Sequence, residues 1–472
     1  MNSSASCRVG MLPALALFLG CAARPEVAPA PAIELDAIRG LANRAVTDGG
    51  IVGLAIGIAV DGRTVFAEGF GFADLERRRS VTAKTIFDVG SVGKQFTAAA
   101  ILRLADRGEL SLDDRVRKHV PATPANFPDA TLADLLHHTS GFVDGDFDEL
   151  HPPAALARPQ HGLELLANTA LQGGRAALPP RSNWTYSNSG YVLLGLVVES
   201  VSGRSYADFV AAELLEPLGV DSITVGVRPT GERSADSLRR VGDDVVRVPS
   251  IDMSVYGGAG SVCSDVVGLL AWEHALDGGR VLSPASWHAC RTPGELVGRS
   301  AATASPYGMA QRLGSLHGWR KVGHTGSYAG GSAVLSHYPE LGLTIAIATN
   351  TRGGDTPHAL RLETEIAELV LAGCGPTAAP SALPIPPEVR VAIEGTYSNG
   401  RTRSNAHIVD DHLVVREGDR EVGRFAYAGG LAFFDPARPL RREWFELDGP
   451  RAGWWVYARD GFPMGCLRRV EP

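Results

Sequence analysis

Lysine is scarce in this chain of 472 residues: Lys84, Lys94, Lys118 and Lys321 are the only four. Basic clusters are scarce too. The net charge is −7, and Arg77-Arg78-Arg79 is the one basic run, of the kind a solvated loop carries. A nucleic-acid surface is therefore excluded as the main function. The six cysteines form no C-x-x-C pair and no H-E-x-x-H is present, so the common zinc spacings are missing. His137 and His138 are adjacent, so their side chains diverge at a helix end and suit a turn better than a metal. No metal and no organic cofactor is implied. The longest apolar stretch near the N-terminus, Met11 to Gly20, is too short to span a bilayer as a helix. No internal repeat is present. What is there is ordinary globular composition, 44% hydrophobic and 21% charged, enough for one large and one small domain.

The first twenty residues have the layout of an export signal, with Arg8 as the only side-chain charge. Leu17-Phe18-Leu19-Gly20-Cys21 resembles a bacterial lipobox. The expectation is a signal peptide over 1–20, lipidation at Cys21 and an Ala/Pro-rich tether over 21–34. An ordinary signal cleaved near Ala22-Ala23 is the alternative. On the first reading the protein is exported to a bacterial cell envelope, faces the periplasm and touches membrane only through its lipid anchor. Cys7 falls within the signal. Cys263, Cys290, Cys374 and Cys466 allow three disulfide pairings, between which the sequence does not choose.

The scarcity of lysine sharpens one motif. Ser91 and Lys94, in Phe87-Asp88-Val89-Gly90-Ser91-Val92-Gly93-Lys94, spell S-x-x-K, and only Lys94 has a serine three residues before it. A serine hydroxyl attacks poorly until a base takes its proton. Three residues apart on a helix is one face. The apolar run Phe96 to Leu104 reads as that helix, which places Ser91 at its N-terminus, where free N–H groups favour negative charge. A solvated lysine after an N-capping serine would be the bland reading of this motif alone.

Two further segments follow in order. Tyr186-Ser187-Asn188 lies between a proline turn (Pro179-Pro180) and an apolar helix from Tyr191 to Val201. His324-Thr325-Gly326 ends a β-like run, Trp319 to Gly323. Ala333 to Tyr338 and Leu343 to Thr349 read as the next hairpin. Serine, lysine, a proton-shuttling tyrosine and an edge strand make an acyl-transfer kit.

These motifs resemble the serine β-lactamase and penicillin-binding-protein superfamily, in its class C β-lactamase, D-alanyl-D-alanine carboxypeptidase and family VIII esterase branch. Leu132 to Gly141 and Gly258 to Trp272 resemble that branch's supporting stretches. The resemblance implies an α/β (α+β) fold, an antiparallel sheet flanked by helices beside an all-helical lobe. It implies catalysis by Ser91, Lys94 and Tyr186, with Lys94 or Tyr186 as the base. It implies an oxyanion hole from the Ser91 and Ser327 amides, and substrate binding by Asn188, His324, Thr325 and Gly326. The expected substrate is a small molecule or peptide: an ester, a D-amino-acid amide or a β-lactam. Covalent sensing of penicillins or cell-wall peptides without turnover is the alternative. His324 stands where class C β-lactamases carry lysine. A neutral imidazole there is expected to weaken attraction for carboxylates and to favour neutral esters.

The hydrolase domain is expected over 35–374 and a Pro-rich linker over 375–388. A small antiparallel β domain, of which a barrel is one form, follows over 389–472. That domain is expected to fold on its own and to restrict access to the cleft. The second Tyr397-Ser398-Asn399 precedes no helix and reads as strand and turn.

Overall fold

The computed structural model describes residues 33–76, 78–144, 162–163, 166, 178–249, 251–297, 305, 307–356, 358–371, 381–448 and 451–470. The export segment, Cys21, Cys374 and residues 375–380 of the expected linker lie outside the described residues.

Period-two alternation builds the central sheet. Strands β1 (Gly53–Val60), β2 (Arg63–Asp74), β3 (Arg79–Ser80), β4 (Arg312–Leu316), β5 (Trp319–Tyr328), β6 (Gly331–Tyr338) and β7 (Leu343–Thr349) pair in the order β3-β2-β1-β7-β6-β5-β4. The expected hairpin of Ala333–Tyr338 with Leu343–Thr349 is present, a second hairpin turns at Asp61-Gly62, and β1 from the N-terminal half pairs antiparallel with β7 from the C-terminal half. Alternate residues feed two cores. Leu54, Ile56, Ile58, Val334 and Ile345 face helices α1 (Leu35–Thr47) and α5 (Ala359–Leu371). Ala55, Ala333, Leu335 and Ala346 face α2 (Lys94–Asp106), α3 (Asn188–Ser202) and α4 (Val266–Asp277). Gly57 has no side chain because Leu270 and Val266 of α4 lie 3.0 and 3.2 Å from where a Cβ would stand. The α+β architecture expected by resemblance is the one observed.

The C-terminal segment is a closed eight-stranded antiparallel barrel, β8 (Gly395–Ser398) through β15 (Phe462–Val470). Helix α6 (Pro387–Ile393) precedes it and buries Val389, Ala392 and Ile393 in the barrel core. Pro387, expected to be linker, opens this helix, because proline costs nothing in a first turn whose N–H groups have no helical partner. Tyr397 is a barrel core residue, as a strand reading of the second Tyr-Ser-Asn required.

The barrel is packed onto the sheet. Ser315 N donates to Gly461 O at 3.0 Å, and a Cβ on Gly314 would lie 2.0 Å from that oxygen. Phe462 enters the core beneath α1 and α5. Lys321 on β5 and Glu363 on α5 form a fully buried ion pair, and Lys321 Nζ also donates to Asp460 O at 3.0 Å in the last barrel turn. Trp454, Val456 and Cys466 of the barrel share a cluster with Trp184 and Tyr307.

Candidate active site

Asp88 sets the approach to the nucleophile. Its side chain is fully buried, accepts from Gly90 N at 2.8 Å, and is paired with Arg228 Nη2 at 2.8 Å. Burial pushes its carboxyl up, and the Arg228 charge opposes that. The chain then makes a tight 3-10 turn, Gly90–Gly93, that runs into α2. Gly90 has φ +52°, a conformation that glycine adopts without a Cβ penalty. Ser91 is thus at the head of the helix, and Lys94 is its first residue.

Lys94 is fully buried. Its Nζ lies 3.1 Å from Ser91 Oγ, 2.8 Å from Asn188 Oδ1 and 2.7 Å from Ala259 O. Burial pulls its pKa below the ordinary lysine value; the neighbouring Tyr186 and Asp144 oppose this, and the Arg312 charge adds to it. Tyr186 meets Lys94 through its ring, with Nζ 4.9 Å from the ring centre.

The second motif is held by groups that sequence reasoning missed. Asp144, buried, accepts from Ser187 Oγ at 2.9 Å, from Asn188 N, and from Ser189 N at 3.3 Å. It thereby serves the start of α3 and fixes Asn188 beside Lys94. His138 Nδ1 accepts from Ser187 N at 3.1 Å, and its ring lies 4.3 Å from that of Tyr186. The turn-holding role expected of the histidine pair is what His138 performs. No local signal marks Asp144, because its partners are more than forty residues away.

The third motif sits on β5. Strand β4 pairs with β5 only from Trp319 to Gly323, so the outer edge from His324 to Tyr328 is left open toward the Ser91 turn. Glycine permits close contact. A Cβ on Gly326 would stand 1.9 Å from Val89 O and 3.3 Å from Ser91 N. A Cβ on Gly90 would stand 3.0 Å from Ser327 N. The Ser91 and Ser327 backbones therefore adjoin, and both residues line one cavity of about 190 Å³ with Asn188, Asp144 and Ala259.

His324, Thr325 and Gly326 do not line that cavity. Of the three, His324 is placed behind the cavity and not on its wall. Its side chain is fully buried, bonded to Tyr307 OH at 2.8 Å and to Thr325 O at 2.6 Å. Burial holds its pKa well below the ordinary imidazole value, with Arg312 and Lys94 adding to that. It packs 6.2 Å, centre to centre, from the Tyr186 ring and braces it from behind. Arg312, buried and donating to Pro463 O at 2.8 Å, places a cation 5.8 Å from the same ring.

The mouth holds three cations that no motif announced: Arg239, Arg352 and Arg401 also line the cavity. Arg401 comes from the barrel. The turn after β8 reaches the site, where Thr185 Oγ1 donates to Asn399 O at 2.8 Å. Among the described residues no three His, Cys, Asp or Glu side chains converge as a metal site needs. The arrangement can deprotonate a serine, hold an acyl oxygen and exclude bulk water from the base.

Comparison with known proteins gives a consistent placement. The sequence model of the family described as Beta-lactamase matches residues 38–368. Penicillin-binding protein 4* of Bacillus subtilis (strain 168) is 28% identical over 308 residues, 62% of this chain and 66% of that protein. A D-aminopeptidase of Brucella anthropi is 25% identical over 316 residues, 66% of this chain and 58% of that protein. The chain thus spans less than two thirds of the length of these relatives. Among solved structures, the octameric penicillin-binding protein homologue from Pyrococcus abyssi superposes with a TM-score of 0.64 at 22% identity. That match covers 92% of this chain and 100% of the other, and it shows a shared fold.

Proposed function

From a chain that belongs to the beta-lactamase family, we propose a serine hydrolase that works through an acyl-enzyme on Ser91. The observation that carries this is the surroundings of Lys94 Nζ. Two of its three oxygen neighbours, Asn188 Oδ1 and Ala259 O, can only accept. Once Lys94 is neutral, its two N–H bonds satisfy those acceptors and its lone pair is left for the Ser91 proton. Burial favours the neutral form. Ser91 Oγ then attacks a carbonyl carbon, and the carbonyl oxygen becomes an anion held by the Ser91 and Ser327 amides. Tyr186 passes a proton to the leaving group and afterwards helps water attack the ester. His324 keeps the Tyr186 ring in place.

The substrate class is an ester, an amide of a D-amino-acid peptide, or a β-lactam. The relatives' names, a penicillin-binding protein and a D-aminopeptidase, support that range. Export and lipidation at Cys21 complete the proposal; Cys21→Ser should move the protein from membranes to the soluble fraction.

The test is intact-mass detection of the adduct formed with a fluorophosphonate or a penicillin. Ser91→Ala should abolish labelling while the fold is retained. Stoichiometric labelling of another serine in that variant would remove Ser91 from the scheme. An adduct that forms and never turns over on ester, D-peptide or β-lactam would make the protein a covalent sensor.

A further inference from the structure

Arg312 is a buried cation, and among the described residues no Asp or Glu pairs with it. It opens β4 opposite Gly323, the residue before His324, and a tight turn sets it across from Tyr307. It is only 6% exposed. Its Nη1 donates to Pro463 O of the barrel at 2.8 Å, and its Nε, buried, has no partner. A guanidinium keeps its proton in proteins, so the charge is permanent, and burying it without a counter-charge is destabilising. The barrel carbonyl holds the group without neutralising it. What the group faces is aromatic: Cζ lies 5.8 Å from the centre of the Tyr186 ring and 6.0 Å from that of Tyr307. Rings attract cations through their faces. His324 adds no charge of its own. Its Nδ1 lies 2.6 Å from Thr325 O, which only accepts, so Nδ1 carries the ring proton and Nε2 takes that of Tyr307 OH at 2.8 Å. Burial first, and Arg312 after it, disfavour a second proton there. The Ser91 cavity is lined without Arg312.

We propose that Arg312 is a positioning residue that acts through Tyr186: its fixed charge stabilises the anion that Tyr186 becomes on giving its proton to the leaving group. The proposal rests on the hydrolase reading and deepens its proton-transfer step. Ser91 gives its proton to Lys94 as Oγ bonds to the carbonyl carbon. The bond to the leaving group then breaks with its electron pair on the leaving atom, which takes the Tyr186 proton. The Tyr186 phenolate recovers a proton from the Lys94 ammonium. Between these transfers Tyr186 is an anion in a site poor in water, where a nearby opposite charge counts for far more than it does in solvent. A buried, unpaired guanidinium beside that ring is the counter-charge this moment calls for, and the barrel carbonyl keeps it there.

Three esters of one acid, with leaving groups of rising basicity, test this: p-nitrophenyl, phenyl and ethyl butyrate. Nitrophenolate departs without a proton and ethoxide does not, so kcat/KM for the ethyl ester depends most on Tyr186 as a donor. Arg312→Met should raise the p-nitrophenyl-to-ethyl ratio of kcat/KM by ~10-fold or more, a part of the ~10²–10⁴ that proton donation supplies. A residue that only packs the barrel onto the sheet would lower all three rates together; an unchanged ratio overturns the proposal. Arg312→Lys keeps a cation and should hold the ratio nearer to wild type. A ratio as high as that of Arg312→Met overturns it too. In a Tyr186→Phe background, adding Arg312→Met should leave the ratio where Tyr186→Phe set it, and a further rise would show that Arg312 does not act through Tyr186. The ratio of p-nitrophenyl hydrogen glutarate to p-nitrophenyl butyrate should be the same in wild type and Arg312→Met. A fall there would make Arg312 a contact for the substrate's own charge and end the proposal. Should Arg312→Met fail to fold by circular dichroism, Arg312→Gln, which keeps an N–H donor, takes its place. Turnover of p-nitrophenyl butyrate through Ser91 keeps the hydrolase reading when the ratios fail. No turnover of any ester and no adduct defeats that reading itself.

Discussion

Lys94 has three oxygen neighbours, and only Ser91 Oγ has a proton to give. That makes charge the wrong property to preserve at this position. Lys94→Arg keeps a cation, but a guanidinium does not deprotonate in proteins. It should therefore fail as badly as Lys94→Ala, by ~10²–10⁴ in kcat, the span of general-base assistance. A Lys94→Arg rate near wild type would reassign the base to Tyr186. The lowered pKa of Lys94 has a signed consequence. Activity requires the neutral amine, so kcat/KM should rise with pH and level off below the ordinary lysine range near 10.4. An acid limb that persists to that value would show a fully protonated Lys94 at neutral pH. Gly326 is the other sensitive residue. A Cβ 1.9 Å from Val89 O forces β5 away from the Ser91 turn, so Gly326→Ala should cost ~10²–10³ in kcat through a displaced oxyanion donor. Retention of rate would mean that the Ser327 amide does not serve the anion. At this scale the sequence was legible where chemistry is local. Ser91 and Lys94 are three residues apart on one turn. Asp144, Arg312 and Tyr307 are tied to the site by contacts across tens of residues, and nothing in their neighbourhoods marks them.

Strand β5 shows why element type was easier to read than element extent. Trp319 to Gly323 reads as a strand, whereas His324-Thr325-Gly326-Ser327-Tyr328 has the glycine and serine of a loop. It remains a strand because β6 pairs with it along its whole length, from Val322 to Tyr328, while its other edge is bare. The same limit hid the Arg239–Arg352 pairing, a parallel bridge between segments more than a hundred residues apart. In the barrel the turns at Asp410-Asp411 and Asp460-Gly461 carry positive φ values of the kind that Asp and Gly tolerate, so their residue types match their local geometry. One barrel residue was not legible in the sequence. Glu443 sits at an inward position, buried, and bonded to Trp455 Nε1 at 2.7 Å. Burial pushes its carboxyl up to about 8. Its folded-state pKa lies above the unfolded value near 4.3. Its stabilising contribution is therefore full below that value and lost as pH rises through 8. Glu443→Gln keeps an acceptor for Trp455 without the charge. It should gain about 1–3 kcal/mol on the wild type between pH 5 and pH 8, read by urea unfolding at both pH values. An unchanged difference at the two values would place an ionised Glu443 in contact with water.

At the scale of the molecule, composition suggested two independent domains and packing ties them together. A proline-rich stretch signals a linker, but it says nothing about the surfaces on either side. Those surfaces share Phe462, Trp454 and Cys466 with the hydrolase half, and the buried Lys321–Glu363 pair takes a third bond from the barrel at Asp460 O. A chain ending near Gly375 leaves that buried lysine short of an acceptor and bares an aromatic face, so it should aggregate or lose several kcal/mol of stability, about the cost of disturbing a buried ion pair. A monomeric truncation with the full chain's Tm would show that the interface contributes nothing. The contact between Asn399 O and Thr185 Oγ1 reaches further than stability. Thr185 immediately precedes Tyr186, so the barrel holds the backbone beside the proton shuttle. A shuffled gene that joined this hydrolase half to a different C-terminal module would lose the partner of its own second motif. A substitution in the Ser398–Thr402 turn would register first as altered chemistry at Ser91, in a protein whose barrel remains intact.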